Sequence, residues 1–259
     1  MKLGCSSQSY DRAFRQQQLD LLSWVDHCAE ILQLDGVELE AKHFPSTAAQ
    51  FLRGLRQRLA LRQLSLSCVD IVNNFGLPTR EEREAQLAYV RQWLEVAQLL
   101  GSPMLRIFAG WPQAQGGELL WHDMIDCLKQ SCAYAEQAGV VLSLENHNHS
   151  GFVRVAEDAL RIIEQVSSDW LRLNLDTGNF LDGLRSIEKS VWWAVHVHAK
   201  LLDLAPDGSE RSLDYGEILA LLKRTNYRGF LSLEYEGPED PFAAVPRAVV
   251  HFRQLLREL

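Results

Sequence analysis

Four side chains of acid or imidazole type each close an apolar run. Glu145 ends "VVLSLE", Asp176 ends "LRLNLD", His198 ends "VHVH" and Glu234 ends "FLSLE". Within each run the residues alternate. Leu142 and Leu144 share one parity, and Ser143 and Glu145 the other. Leu171, Leu173 and Leu175 alternate with Arg172, Asn174 and Asp176. Val195 and Val197 alternate with His196 and His198, and Leu231 and Leu233 with Ser232 and Glu234. Successive side chains of a strand point to opposite faces, so the four share a polar face at the C-terminal ends of their strands. Three carboxylates and one imidazole form a hard, oxygen-rich donor set. It suits Mn²⁺ or Mg²⁺ and also accommodates Co²⁺ or Zn²⁺. Buried carboxylates cost several kcal/mol unless paired or metal-bound. Each residue alone reads as an ordinary polar strand end. Together Glu145, Asp176, His198 and Glu234 are expected to hold one divalent metal ion.

Such ends must be brought together by a fold. Strand-like segments begin near Lys2, Gly36, Leu64, Pro103, Val140, Leu171, Val195 and Gly229. Eight of them in 259 residues leave roughly 32 residues per unit, one strand plus one returning helix. In "TREEREAQLAYVRQWLEVAQLLG", Leu87, Val90, Leu94 and Ala97 recur at helical spacing. Thr79 and Glu82 form a capping box ahead of them, and Gly101 follows. Asp240 and Pro241 predict the start of a last helix, whose apolar stripe is Val245, Val249, Phe252 and Leu256. The expectation is a single (β/α)8 TIM barrel over residues 1–259, with its active site at the C-terminal ends of the strands. An open doubly wound sheet would carry a Gly-rich phosphate loop after its first strand, and "LGCSSQSYD" is not one.

Composition narrows the function. The chain is 47% hydrophobic with a net charge of −8. Phosphate-backbone binding relies on clustered Lys and Arg, so nucleic acid is not an expected partner. No run approaches the ~18 apolar residues of a membrane span, and the N-terminal "MKLGCSSQSYDRAF" lacks the apolar stretch of a secretory signal. Cys5, Cys28, Cys68, Cys127 and Cys132 are scattered and odd in number, which predicts reduced thiols in a cytoplasmic protein.

Other residues are placed to contact a substrate. Arg106, between Leu105 and Ile107, has inward parity and needs an anionic partner, either a substrate or a barrel glutamate such as Glu38 or Glu40. Lys200 follows His198 by two and points toward the mouth. Asn73 and Asn74 are read as the end of the third strand, positioned for sugar hydroxyls or for a turn. His147 lies two residues past Glu145 and faces the rim. His149 reads as a solvated loop residue, and Trp111 as a pocket wall. His196 lies ~6–7 Å deeper than His198 and is expected to orient a ligand, with Glu38 and Glu40 in a similar supporting role. Trp192 and Trp193 are expected to pack as core or rim.

"SLENH", "LNLDTGN", "VHVHAK" and "GFLSLEYEG", in that order, resemble the xylose-isomerase-like superfamily of sugar phosphate isomerases and epimerases. Smaller matches are "DGVELEAKHFP", "NNFGLP" and "LRIFAGW". The resemblance implies metal ligation by Glu145, Asp176, His198 and Glu234, with Glu145 and Glu234 also the proton-transfer pair. Arg106, Lys200, Asn73 and Asn179 are the candidate substrate contacts, read from their positions in the sequence. Ketose 3-epimerases of the superfamily carry a His where Asn179 stands, as does the endonuclease branch, which uses extra His ligands. In the dehydroshikimate dehydratases that the chain also resembles, a His placed like His147 assists catalysis. The expected function is therefore a metal-dependent isomerase or epimerase of a small sugar, sugar phosphate or polyol-derived ketone, moving a proton through an enediolate that the metal stabilises. The alternatives are a dehydratase or lyase of a keto-acid or keto-sugar and, behind it, a non-catalytic sugar-binding barrel. The expected partner is a small carbohydrate or keto-acid, with a second copy of the chain as a further candidate.

Overall fold

The computed structural model describes residues 1–112, 117–147 and 150–259; His149 lies outside them. Eight strands are present: β1 (Lys2–Ser6), β2 (Gly36–Glu40), β3 (Ser65–Asp70), β4 (Met104–Ile107), β5 (Val141–Glu145), β6 (Leu171–Asp176), β7 (Ala194–Leu201) and β8 (Phe230–Tyr235). They close in sequence order into a parallel barrel, with nine α-helices among the described residues. Each strand begins within one residue of its expected start. Parallel strands buried on both faces need apolar outward positions. Accordingly Leu142, Leu144, Leu171, Leu173, Leu175, Val197, Leu231 and Leu233 are all fully buried, each contributing roughly 1.5–3 kcal/mol.

The helices begin and end where local chemistry dictates. Thr79 Oγ1 accepts from Glu82 N at 3.3 Å, and Glu82 Oε2 accepts from Thr79 N at 3.1 Å. The helix Arg80–Leu100 then stops at Gly101, whose φ of 76° is left-handed. Asp240 caps the last helix through Phe242 N at 3.1 Å, with Pro241 at its first position. No helix of the described residues is long and apolar enough to cross a membrane. All five cysteines are buried, and none forms a disulfide.

The chain packs as two compact units, Met1–Ser67 with His196–Leu259, and Cys68–Val195. In the first, β1 pairs in register with β2 (Gly4↔Gly36) and with β8 (Gly4↔Ser232). β7 pairs with β8 (His198↔Ser232). Gly36 permits this close packing: a Cβ there would stand 2.6 Å from both the Phe230 ring and the Ser65 carbonyl oxygen. In the second unit the registers are Asp70↔Arg106, Arg106↔Ser143 and Glu145↔Asn174.

Two sequence expectations are corrected. Strand three ends at Asp70 rather than at Asn73 and Asn74, so Asp70 is the rim residue of β3. Trp192 is 71% exposed and Trp193 40% exposed. They occupy a short 3-10 turn before β7 whose outward side faces solvent, which their bulk alone did not reveal.

Candidate functional site

The second unit carries Arg106, Glu145, Asp176 and their supports. Glu145 ends β5 at 3% exposure, and its Oε2 lies 3.0 Å from Arg106 Nε. The same oxygen accepts from Asn174 Nδ2 at 3.1 Å. Arg106 also donates to the Ile71 carbonyl at 3.0 Å, reaches Asp70 Oδ1 at 3.8 Å, and stacks its guanidinium 4.5 Å from the Phe108 ring centroid. Asp70 is a site residue that the sequence reading did not name. It sits at the C-terminal end of β3 on the parity of Leu66 and Cys68.

Asp176 is fully buried. Its Oδ1 accepts from Gly178 N at 2.8 Å and its Oδ2 from Asn179 Nδ2 at 2.9 Å. Asn146 ties β5 to β6: its Oδ1 accepts from Asp176 N and its Nδ2 donates to Asp176 O, both at 2.9 Å. Asn179, expected to meet substrate, thus holds the Asp176 carboxylate. Asn73 is likewise committed to the chain. Its Nδ2 donates to Phe108 O at 2.7 Å, and its Oδ1 accepts from Phe108 N at 2.9 Å. Its amide closes the loop after β3 against the end of β4, in keeping with the turn-forming alternative. Asn74 Oδ1 accepts from Gly76 N and Trp111 N, each at 2.8 Å.

An aromatic wall stands at this rim. The His147 ring meets Phe108 and Trp111 edge-on, each at 5.4 Å between centroids, and Phe108 lies 5.1 Å from Trp111. Trp111 thus packs against both Phe108 and His147.

The first unit carries His196, His198, Lys200 and Glu234. His198 is fully buried, with Nε2 2.8 Å from Glu38 Oε1 and Nδ1 3.4 Å from Glu234 Oε2. His196 Nε2 approaches the other Glu38 oxygen at 3.1 Å. Glu38, His196 and His198 form one cluster able to hold a metal ion. Lys200 is 4% exposed, not a solvated rim lysine. It donates to Glu234 Oε2, and to Glu236 Oε2 at 3.2 Å.

Burial alone would raise the carboxyl of Glu38, but the facing imidazoles of His198 and His196 hold it well below the usual carboxylate range. Burial opposes ionisation of Glu234 too; the Lys200 ammonium, then His198, override it and keep that carboxyl well below its usual range.

A closed parallel barrel of eight strands in sequence order places the chain in the class of TIM barrels. The chain belongs to the Xylose isomerase-like TIM barrel family, which it matches over residues 25–255. Its fold is similar to D-psicose 3-epimerase of Clostridium cellulolyticum H10, solved with D-tagatose (TM-score 0.81, 18% identity, 99% of each chain covered). It is also similar to 3-keto-D-glucoside 4-epimerase of E. coli (TM-score 0.80, 20% identity, 98% of this chain and 99% of the other). A third likeness is to a probable 3-DHS dehydratase of Bacillus anthracis (TM-score 0.79, 18% identity, 98% and 99%). A curated relative, the 3'-dehydrocarminate deglycosidase alpha subunit of a Microbacterium species, is 38% identical over 58 residues; the match spans 20% of this chain and 17% of that protein.

Proposed function

We propose that the protein is a divalent-metal-dependent isomerase or epimerase of a small, unphosphorylated keto-sugar. The observation that carries this reading is the donor set: Glu145 and Asp176 end β5 and β6, His198 and Glu234 lie on β7 and β8 with His198 Nδ1 3.4 Å from Glu234 Oε2, and all four side chains are buried. Three carboxylates and one imidazole fit a hard or borderline cation. A divalent ion there supplies Lewis-acid polarisation of a carbonyl oxygen and its neighbouring hydroxyl. Glu145 is the proposed base for the adjacent C–H proton. Arg106 and Asn174 fix one of its oxygens, and so aim the carboxylate. Glu234 comes from a non-neighbouring strand, which supports delivery of the proton from a different side. Lys200, hydrogen-bonded to Glu234, is the proposed source of the proton that Glu234 passes on, and it is reloaded from solvent as Glu145 releases the proton it took. Asn179 keeps Asp176 oriented.

A neutral substrate is supported by the state of the cations. Arg106 is engaged by Glu145 and Asp70, Lys200 by Glu234 and Glu236, and Arg211, in the loop after β7, by Asp203 at 2.8 Å. The aromatic wall of Phe108, Trp111 and His147 suits the C–H face of a sugar.

A second reading, dehydration of a keto-acid or keto-sugar, is favoured by His147, whose packing against Trp111 would fix it as an acid for a leaving hydroxyl. Incubation with neutral ketoses in D₂O, followed by NMR, tests both. Exchange of the α-proton without loss of hydroxyl supports the first reading, and a new UV-absorbing enone supports the second. Glu145→Gln is expected to lower exchange by roughly 10²–10⁴-fold. Undiminished exchange in metal-loaded Glu145→Gln would remove Glu145 as the base.

A further inference from the structure

We infer that Glu38 is the positioning residue that fixes which nitrogen of His198 faces the site, holding the proton on Nε2 and leaving Nδ1 as the donor atom. The inference rests on the metal reading above, but its geometry lies wholly within β2, β7 and β8. Glu38 and His198 are both fully buried, and His198 Nε2 stands 2.8 Å from Glu38 Oε1. An ionised carboxylate only accepts, so the proton of that bond belongs to Nε2. Nδ1 points the other way, 3.4 Å from Glu234 Oε2. A carboxylate behind a ligating imidazole sets its tautomer and ring orientation and raises its basicity.

His196 completes the arrangement from the layer below. Its Nε2 lies 3.1 Å from Glu38 Oε2. Glu38 therefore stands between two imidazoles, presenting one oxygen to each, and cannot turn away from His198 without also leaving His196. The rival arrangement is an ion held by Glu38, His196 and His198 themselves, whose donor atoms also lie within reach of one another. That ion would bind His198 through Nε2, which would then carry no proton. The two arrangements make opposite statements about one nitrogen.

The test is ¹⁵N-histidine NMR of the wild-type protein, before and after loading with Zn²⁺, together with Zn²⁺ titration of wild type and Glu38→Gln. Glutamine presents one acceptor and one donor where glutamate presents two acceptors, so it cannot serve both imidazoles. Expected are a protonated His198 Nε2 in both wild-type spectra, Zn²⁺ at Nδ1, and a Kd for Zn²⁺ weakened roughly 10–100-fold in Glu38→Gln. A bare or metal-bound Nε2 overturns the inference, as does an unchanged Kd in folded Glu38→Gln. Should that variant not fold, the wild-type spectra alone decide. Wild type that binds no ion sinks the metal reading, while the proton on Nε2 is still read from the metal-free spectrum.

Discussion

Arg106→Met is the sharpest probe of the electrostatic frame. The guanidinium is 3% exposed beside Glu145 at 3.0 Å and Asp70 at 3.8 Å, and it also serves the Ile71 carbonyl and the Phe108 ring. Methionine keeps much of the apolar volume but leaves two buried carboxylates without this cation. Removing one partner of a buried pair typically destabilises by about 3–5 kcal/mol, because the remaining charge is stranded. The lost carbonyl and ring contacts act in the same direction but are not additive with it. In a chain of this size each kcal/mol moves Tm by roughly 2–4 °C, so a fall of about 10 °C is expected. The assay is thermal and urea unfolding followed by circular dichroism, with EDTA present so that no ion substitutes for the guanidinium. Arg91→Met is the control: Arg91 is 63% exposed, 3.8 Å from Glu95, and its removal should change stability by less than ~1 kcal/mol. An Arg106→Met protein as stable as that control would refute the view that Arg106 neutralises the carboxylates of β3 and β5.

Two further outcomes follow from other parts of the molecule. Burial pushes the His43 imidazole down from 6.5 to about 4, with Asp11 only partly opposing it. The unfolded chain therefore binds the extra proton first, and the stability this group contributes is present above pH 6.5 and lost as pH falls toward 4. Urea midpoints at pH 7.5 and 4.5 should show wild type losing about 1–3 kcal/mol more than His43→Gln; equal losses would contradict it. Gly110 has a φ of +107°, and a Cβ there would lie 2.3 Å from Asn74 Oδ1 and 2.5 Å from Phe75 N. Gly110→Ala is expected to destabilise by at least ~2 kcal/mol and to quench or shift Trp111 fluorescence, and an unchanged unfolding curve would count against the close loop packing.

The sequence was most legible where one parity is buried against helices and the other faces the barrel interior. There the alternation in β5 to β8 set Glu145, Asp176, His198 and Glu234 apart from their apolar neighbours before any coordinates, and all four are buried. It was least legible where the partner lies far along the chain. Nothing local says that Asn73 will spend its amide on Phe108, or that Asn146 will tie its amide to the backbone of Asp176. Asp70 escaped notice because in "SLSCVD" Leu66 and Cys68 share its parity while Ser65 and Ser67 take the other, the reverse of the pattern in β5 to β8. Lys200 reads as a rim residue until β7 is seen to run on to Leu201, which buries the ammonium between Glu234 and Glu236.

The account rests on one divalent ion shared by Glu145, Asp176, His198 and Glu234, and metal content measures it directly. Wild type and Asp176→Ala are each exchanged with Mn²⁺, Mg²⁺, Co²⁺ or Zn²⁺, freed of excess ion by gel filtration, and analysed for metal per chain. The account expects one tightly held ion per wild-type chain with at least one of these metals, and its loss in Asp176→Ala. Wild type that retains none of the four, or Asp176→Ala that retains the same ion as wild type, would contradict it.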